Sequence, residues 1–399
     1  MNIIFYETKF NKYSINALLA CLEHSKLTEK LDIKVISELN QNLLSFEKSK
    51  DLVFCFSFCT PQLKETLKLL EKIKSLYPNS VFIAGGPHPS GAPEETLKAG
   101  FDYVFVGEAE ECFPRFLNSM GHERIIKGTK VNLDKYQSFS EKFNRFSPIE
   151  ITRGCPFACK FCQTSYIFGT KPRHRSIDSI IKHVEVLISY GIKDLRFITP
   201  NALSYGSEDG KTVNLQQVEK LLRSIKALSK DINIFFGTFP SEVRPEHLTK
   251  EALSVIKPYI SNKAFSIGAQ SGSDSILETI GRKHTTQDVY TAVTNALEAG
   301  FSVNVDFILG LPDEEEKHQE ETLNFIEKLI KLSYNKGIPI KIRTHYFLPL
   351  AGTPFYKAKP SPISKKLTKY LGKLYNLKLV FGQWHLQKIY TESILANKT

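Results

Sequence analysis

The chain has 399 residues, enough for two ordinary domains, because single cores rarely grow beyond about 250 to 300 residues. With 42% apolar and 24% charged residues, and no apolar run of the roughly 18 to 20 residues that span a bilayer, the composition excludes a disordered chain and a transmembrane helix. The formal charge of +11, from 53 basic and 42 acidic side chains, permits a nucleic acid or other polyanion as partner but more often reflects a solvated surface.

MNIIFYETKF at the start has neither the basic region nor the cleavage site of a signal peptide, so a cytoplasmic protein is expected. NIIFYE (2–7), DIKVIS (32–37), DLVFCFSF (51–58), SVFIAGG (80–86) and DYVFVGE (102–108) read as strands. Amphipathic segments such as PQLKETLKLLEKIKSLYP lie between them, apolar at helical spacing and closed by proline. The alternation predicts a doubly wound parallel sheet over 1–125, with ligands beyond the carboxyl ends of its strands. Those ends carry SFCTPQ, GGPHPSG and GEAEE, and Gly85 and Gly86 let a ligand approach the backbone, tight-turn chemistry being the alternative. Cys21, Cys55, Cys59 and Cys112 stand in apolar surroundings and are expected as inert thiols. Cys55 and Cys59 would lie about 13 Å apart along a strand, too far to share a metal.

Residues 126–147 lose the pattern and read as a linker. Over 148–356, PIEIT, DLRFIT, NIFFGTF, AFSIGAQ, VNVDFILG and IKIRTHYF make six further strands with helical patterns between them. Six βα units do not close an eight-stranded barrel, so a partial (βα)6 barrel is expected. The tail, 357–399, holds nine lysines against one acid, Glu392, and reads as a basic helical extension. The fold class is therefore α/β: an N-terminal doubly wound parallel sheet, a partial barrel, and a short helical C-terminal region.

TRGCPFACKFCQTSYIFG, 152–169, follows the first barrel strand and places Cys155, Cys159 and Cys162 at C-x3-C-x2-C, with no cysteine downstream. In a reducing compartment such a cluster points to metal or catalysis rather than disulfides. A structural zinc site closes with four ligands, and a [4Fe–4S] cluster takes four thiolates. Three thiolates leave one iron open, as catalytic sites do. Phe161 before the last cysteine can cover the cluster.

RGCP, the cysteine spacing and the aromatic before the last cysteine together resemble the radical S-adenosylmethionine (SAM) superfamily. The resemblance implies a [4Fe–4S] cluster on the three cysteines, its fourth iron chelated by SAM. One electron, from an external donor of flavodoxin or ferredoxin type, then cleaves SAM to methionine and a 5′-deoxyadenosyl radical. SIGAQSGSDSILETIGRKHT (266–285) is similar to the SAM-holding segment, with Gln270, Ser271 and Arg282; DFILGLPDEEE (306–316) to the strand against the adenine, with Asp306 and Gly310. TFPSEVRPE (238–246) brings Glu242 and Arg244, suited to the ribose hydroxyls and the carboxylate, while FLPLAGTPFY (347–356) is similar to the sixth-strand ending. In TPNALSYG (199–206) the family's usual acidic partner of the SAM amino group is absent and Asn201 is the nearest polar residue. Capping, surface charge and buried strand polarity are the alternative readings of these side chains. Tyr166, Tyr205, His345 and Tyr346 at strand ends are candidates to line the substrate cavity.

AGGPHPSG followed by FDYVFVGEAEE resembles the Rossmann-like, cobalamin (B12)-binding domain that precedes many radical SAM barrels. The resemblance places Tyr13, Ser57, Thr60, Gly85, Gly86, Pro87, His88, Gly107 and Glu108 at the corrinoid. The D-x-H-x-x-G motif whose histidine ligates cobalt is absent; His24 reads as a surface residue and His88 as lying near the nucleotide tail or a domain interface. The leading functional expectation is cobalamin-dependent methylation of an unactivated carbon, in which one SAM methylates cob(I)alamin and a second supplies the radical. The alternatives are radical chemistry without methyl transfer (cyclisation, C–C bond formation or sulfur insertion) and a metal-stabilised nucleic-acid-binding module.

Overall fold

The computed structural model describes residues 1–37 and 52–396, and its contacts divide the chain into two compact units. The first comprises residues 1–147 with 166–168 and 350–356; the second holds the rest.

In the first unit, β1 (Asn2–Tyr6), β2 (Asp32–Ile36), β3 (Leu52–Ser57), β4 (Val81–Gly85), β5 (Tyr103–Val106) and β6 (Ile125–Lys127) form one parallel sheet in the order β2-β1-β3-β4-β5-β6. Successive residues of a strand face opposite sides of a sheet. Ile3, Phe5, Val53, Cys55 and Ile83 accordingly pack into one core with Ile15, Leu19, Phe113 and Phe116 of the helices on that side. Ile4, Phe54, Phe56, Phe82 and Ala84 pack into the other with Leu70 and Ile73. Both faces are covered, so the strands are near-continuous apolar runs rather than alternating ones. The strand order reverses between β1 and β3, the switch point where such sheets bind ligands.

The segment 126–147, read from the sequence as a linker, belongs to this unit. Its first residues complete β6, and Val131 and Tyr136 pack on Cys21. Ser140 Oγ donates to Glu23, and Arg145 pairs with Glu7 and donates to Asn16 Oδ1 at 2.8 Å. Few apolar residues and no period hid a stretch held by side-chain polar contacts. Residues 350–356, placed by the sequence at the end of the barrel, also join the first unit: Ala351 N–H donates to Thr60 Oγ1 at 3.1 Å, and Tyr356 O–H to Glu95 at 2.7 Å.

The second unit begins with β7 (Ile149–Glu150), then β8 (Thr152–Arg153) and β9 (Arg173–His174), an antiparallel pair at the base of the cysteine loop. β10 (Asp194–Ile198) and β11 (Asn233–Phe235) join β7 in a parallel ladder, β11-β10-β7. β12 (Ala264–Gln270), β13 (Ser302–Leu309), β14 (Ile340–Tyr346) and β15 (Val380–Gly382) form a second. The two connect through a parallel bridge between Val243 and Ile267, with Val243 N–H donating to Ser266 O at 2.9 Å. Helices follow the strands. That over Leu215–Leu228 buries Val218, Leu221, Leu222 and Ile225, one stripe at helical spacing, and Asn214 caps its N-terminus by accepting from Gln217 N–H at 3.1 Å.

Six parallel strands were expected; β15, from the C-terminal region, is a seventh, besides the antiparallel pair β8–β9. That region is otherwise helical, at Lys365–Asn376 and Trp384–Ala396, and buries Leu367, Leu371, Leu374 and Ile394. Among the described residues no helix is long and apolar enough to cross a membrane.

Candidate functional site

The cysteine loop is shaped by its backbone. Gly154 adopts φ +92°, and a Cβ there would stand 2.7 Å from Lys171 O, so only glycine fits. Cys155 N–H donates to Gly169 O at 3.1 Å, closing the loop. Ser165 Oγ donates to Cys155 O at 2.6 Å and accepts Ala158 N–H at 3.2 Å, and Cys162 N–H reaches Cys159 O at 3.0 Å. Lys160 N–H donates to Ile280 O at 3.0 Å, docking the loop on the segment that leads to Arg282. Cys159 is buried, Cys155 and Cys162 half-buried. Burial raises the Cys155 and Cys162 thiols above their ordinary range.

Arg282 lies against this loop. Nη1 reaches Cys159 Sγ at 3.8 Å, Nη2 donates to Gly268 O at 2.8 Å, and Nε is buried without a hydrogen-bond partner. Arg244 stacks over the Phe157 ring at 3.4 Å and donates to Glu246 at 2.5 Å and to Arg282 O at 2.7 Å. His284 donates from Nε2 to Ala269 O at 3.2 Å; burial, then Arg282 and Arg244, push its pKa down to about 2, so it is neutral.

Beside Arg282, three polar side-chain ends gather over Gly268, which only the lack of a side chain there allows. A Cβ at Gly268 would meet Gln270 Nε2 at 2.5 Å, Arg282 Nη2 at 2.7 Å and Glu242 Oε2 at 3.2 Å. Gln270 reaches it through a break in the β12–β13 register after Gly268 and a left-handed φ of +75°. Further along the barrel Arg343 forks onto Asp306, with Nε to Oδ1 at 2.7 Å, and reaches Glu242 at 3.2 Å. Burial raises the Asp306 carboxyl, against the pull of Arg343. Gly310, at φ +70°, donates its N–H to Glu314 at 3.0 Å, and burial raises Glu314 to about 7. A Cβ at Gly310 would lie 3.0 Å from Ser361 O, the C-terminal region passing directly over it.

Of the expected SAM contacts, Glu242, Gln270 and Arg282 therefore converge on Gly268; Asp306 joins them through Arg343; Gly310, expected open, is covered by Ser361 and Tyr346 with its N–H and C=O both paired; Phe161 is half-buried in the loop. Arg244 is buried among protein partners, 4% exposed. Asn201 departs from its expected role: Oδ1 accepts Arg244 N–H at 3.1 Å and Nδ2 lies 2.7 Å from His247 Nδ1, so the carboxamide orders the loop. Ser271 Oγ accepts Ser273 N–H at 3.2 Å, which is turn geometry. Of the four cavity candidates, Tyr205 is buried with its O–H on Arg175 O at 2.7 Å, a packing residue. Tyr346 is buried against Gly310. His345 shares the Arg343 face of β14, its pKa pushed down to about 4 by burial and then by Arg343. Tyr166 is exposed, on the short segment that joins the first unit. Reading by motif missed Arg343, Gly268, Glu246, His247 and His284; an arginine within the strand IKIRTHY was the available signal for Arg343.

In the first unit, Tyr13 is exposed and Ser57 Oγ lies 2.9 Å from Ser14 Oγ, both at the switch point, where Asn11 Nδ2 ties Tyr6 O to Ser57 O at 2.9 Å each. Gly85 and Pro87 are half-buried beside them. Gly86, at φ +94°, lets the loop close on β3, since a Cβ would strike Ser57 Oγ at 2.8 Å. Gly107, at φ +80°, has open space where a Cβ would stand. These positions fit a ligand at the carboxyl edge. Thr60, His88 and Glu108 do not. His88 is wholly buried, Nδ1 at 3.2 Å from Thr60 Oγ1 and its ring against Phe58 and Tyr356, so no ligand edge is presented by it. Glu108 accepts Val131 N–H at 3.1 Å inside the unit. Burial raises Cys59 and Cys112 to about 11 and Cys55 further, so these thiols stay protonated and unreactive.

Three thiols in a docked loop suit a metal cluster, and the unpartnered buried Arg282 Nε suits an anionic ligand beside it.

Residues 149–326 match the family model of the Radical SAM superfamily and residues 17–117 that of the B12 binding domain. A Pyrococcus horikoshii protein described as an uncharacterized methyltransferase is 25% identical over 346 residues, covering 76% of this chain and 72% of that one. The tRNA-2-methylthio-N(6)-dimethylallyladenosine synthase of Buchnera aphidicola is 25% identical over 350 residues, covering 82% and 74%. Among solved structures, the radical S-adenosylmethionine methyltransferase TsrM of Kitasatospora setae, with cobalamin and a [4Fe–4S] cluster bound, aligns with a TM-score of 0.66 at 14% identity, covering 89% of this chain and 76% of that one. This last likeness is one of fold.

Proposed function

The chain is a radical SAM enzyme that carries a B12-binding domain, and we propose that it transfers a methyl group to an unactivated carbon of its substrate. The observation that carries the reading is the presence in one chain of two sites: the Arg282 guanidinium beside three cysteines, and a doubly wound sheet whose carboxyl edge presents Ser57 after β3 and Gly107 after β5 rather than packed side chains. When bound, the cluster and SAM supply a 5′-deoxyadenosyl radical and cobalamin supplies a methyl group.

Each residue's part follows from its place. Cys155, Cys159 and Cys162 hold three irons. Arg282 Nε, lacking a partner, receives the carboxylate of SAM, beside the polar ends of Gln270 and Glu242 that gather over Gly268. Glu242, only half-paired through Arg343, accepts from hydroxyls. Ser57, Gly85 and Gly107 border the corrinoid, and no histidine at that edge is available to ligate cobalt from below. The names of TsrM and of the Pyrococcus relative support methyl transfer.

Sulfur insertion is the second reading, favoured by the Buchnera relative. Enzymes of that kind bring three further cysteines in the N-terminal domain; here Cys21, Cys55 and Cys112 are buried on separate elements. Anaerobic purification with a visible spectrum and iron and cobalt analysis tests the proposal. About four irons, bound corrin, and release of both S-adenosylhomocysteine and 5′-deoxyadenosine are expected. Failure to bind added cobalamin would sink methyl transfer while leaving the radical step intact.

A further inference from the structure

Arg282 and Arg244 are two guanidiniums beside Cys159, with the carboxylates of Glu246 and Glu242 near them and His284 neutral. Arg282 cannot turn elsewhere: its backbone N–H is fixed on Leu277 O at 2.8 Å, its carbonyl accepts Arg244, and Nη2 is held by Gly268 O. This fixes Nη1 at 3.8 Å from Cys159 Sγ. The cysteine loop is pinned from its own side by Lys160 on Ile280 O, so neither partner of the N–H···S contact is free to drift.

An iron–sulfur cluster on three thiolates gains one negative charge when it is reduced. A buried cation donating to one of its sulfurs stabilises the reduced form more than the oxidised, because the Coulomb interaction is weakly screened away from water. Outer-layer hydrogen bonds to metal ligands act in this way generally. We propose that Arg282 is a positioning residue that sets the reduction potential of the cluster: its Nη1–H···Sγ contact holds Cys159 against β12 and raises the potential, apart from any contact Arg282 makes with SAM. The inference requires the cluster but not methyl transfer, so it stands or falls separately from that reaction.

The test is made on the full chain, reconstituted anaerobically, without SAM. The ratio of reduced to oxidised cluster at one fixed dithionite poise is read by electron paramagnetic resonance for the native protein, Arg282→Gln and Arg282→Lys. Arg282→Gln should lower the ratio at least tenfold, which is 59 mV for a one-electron couple, at unchanged iron content. Arg282→Lys, which keeps the charge but loses the fork, should fall between. A purely structural role would change iron content or melting temperature and leave the ratio alone. A ratio within twofold of native in both variants overturns the proposal. If Arg282→Gln does not retain iron, Arg282→Lys decides by the same criterion.

Discussion

The Asn201 carboxamide lies 2.7 Å from His247 Nδ1 and accepts the backbone N–H of Arg244 at 3.1 Å, so a histidine outside the cysteine loop governs where a buried arginine of the site enters. His247 is itself hydrogen-bonded by the Lys211 backbone, and burial lowers its pKa, which keeps the ring neutral and Nδ1 an acceptor. Replacing it with phenylalanine leaves a buried amide donor unmet, at about 1 to 3 kcal/mol. His247→Phe should weaken SAM binding about tenfold while iron content holds, as read by equilibrium titration of the reconstituted protein.

Gly268→Ala tests the site beside Arg282. The atoms that a Cβ would meet are the far ends of Gln270 and Glu242, which can swing aside, and of Arg282, which Gly268 O holds, so the fold survives while the polar ends that would meet SAM are displaced. Melting temperature should change by no more than a few degrees and SAM affinity should drop at least tenfold. Unaltered SAM binding would show that the ligand lies elsewhere.

The C-terminal region is part of the barrel. Ser361 N–H donates to Gly310 O at 3.2 Å, Gln319 to Pro362 O at 2.7 Å, Thr391 to Phe347 O at 2.7 Å, and β15 covers the edge of β14. Ending the chain after Tyr356 uncovers that edge, a ready template for aggregation. The truncated protein should be insoluble or elute as aggregate in size-exclusion chromatography; a soluble monomer with native circular dichroism would contradict this.

Stability should fall with acid through His284. Its pKa is about 2 in the folded chain and about 6.5 when unfolded. Between those values the unfolded chain binds a proton that the folded one refuses, so the contribution is fully present above pH 6.5 and declines below it, by about 1.4 kcal/mol per pH unit. Urea unfolding at pH 7 and pH 5 should show a loss about 2 kcal/mol larger for the native protein than for His284→Gln. Equal losses would mean that the ring is protonated in the fold.

Period and punctuation made both sheets readable from sequence, since strands buried on both faces leave apolar runs such as LVFCFS, and helices leave stripes such as that of Val218, Leu221, Leu222 and Ile225. The three cysteines were readable because their spacing is local. Segment 126–147 and residues 350–356 were not, because Arg145–Glu7 and Tyr356–Glu95 join residues far apart in the chain and leave no period.

The amino-acid sequence by itself determined the two α/β units, the metal-bearing loop and most of the polar residues at its strand ends, all of which depend on neighbours within one turn or one strand. Tertiary structure alone decided what those residues face. It turned Asn201 inward to His247, buried His88 and Tyr205 as packing, brought Arg343 onto Asp306, and set Arg282 against Cys159 across 123 positions of chain. Side-chain partners at such separations follow from how strands are ordered and helices docked, and that information is absent from any local pattern of residues.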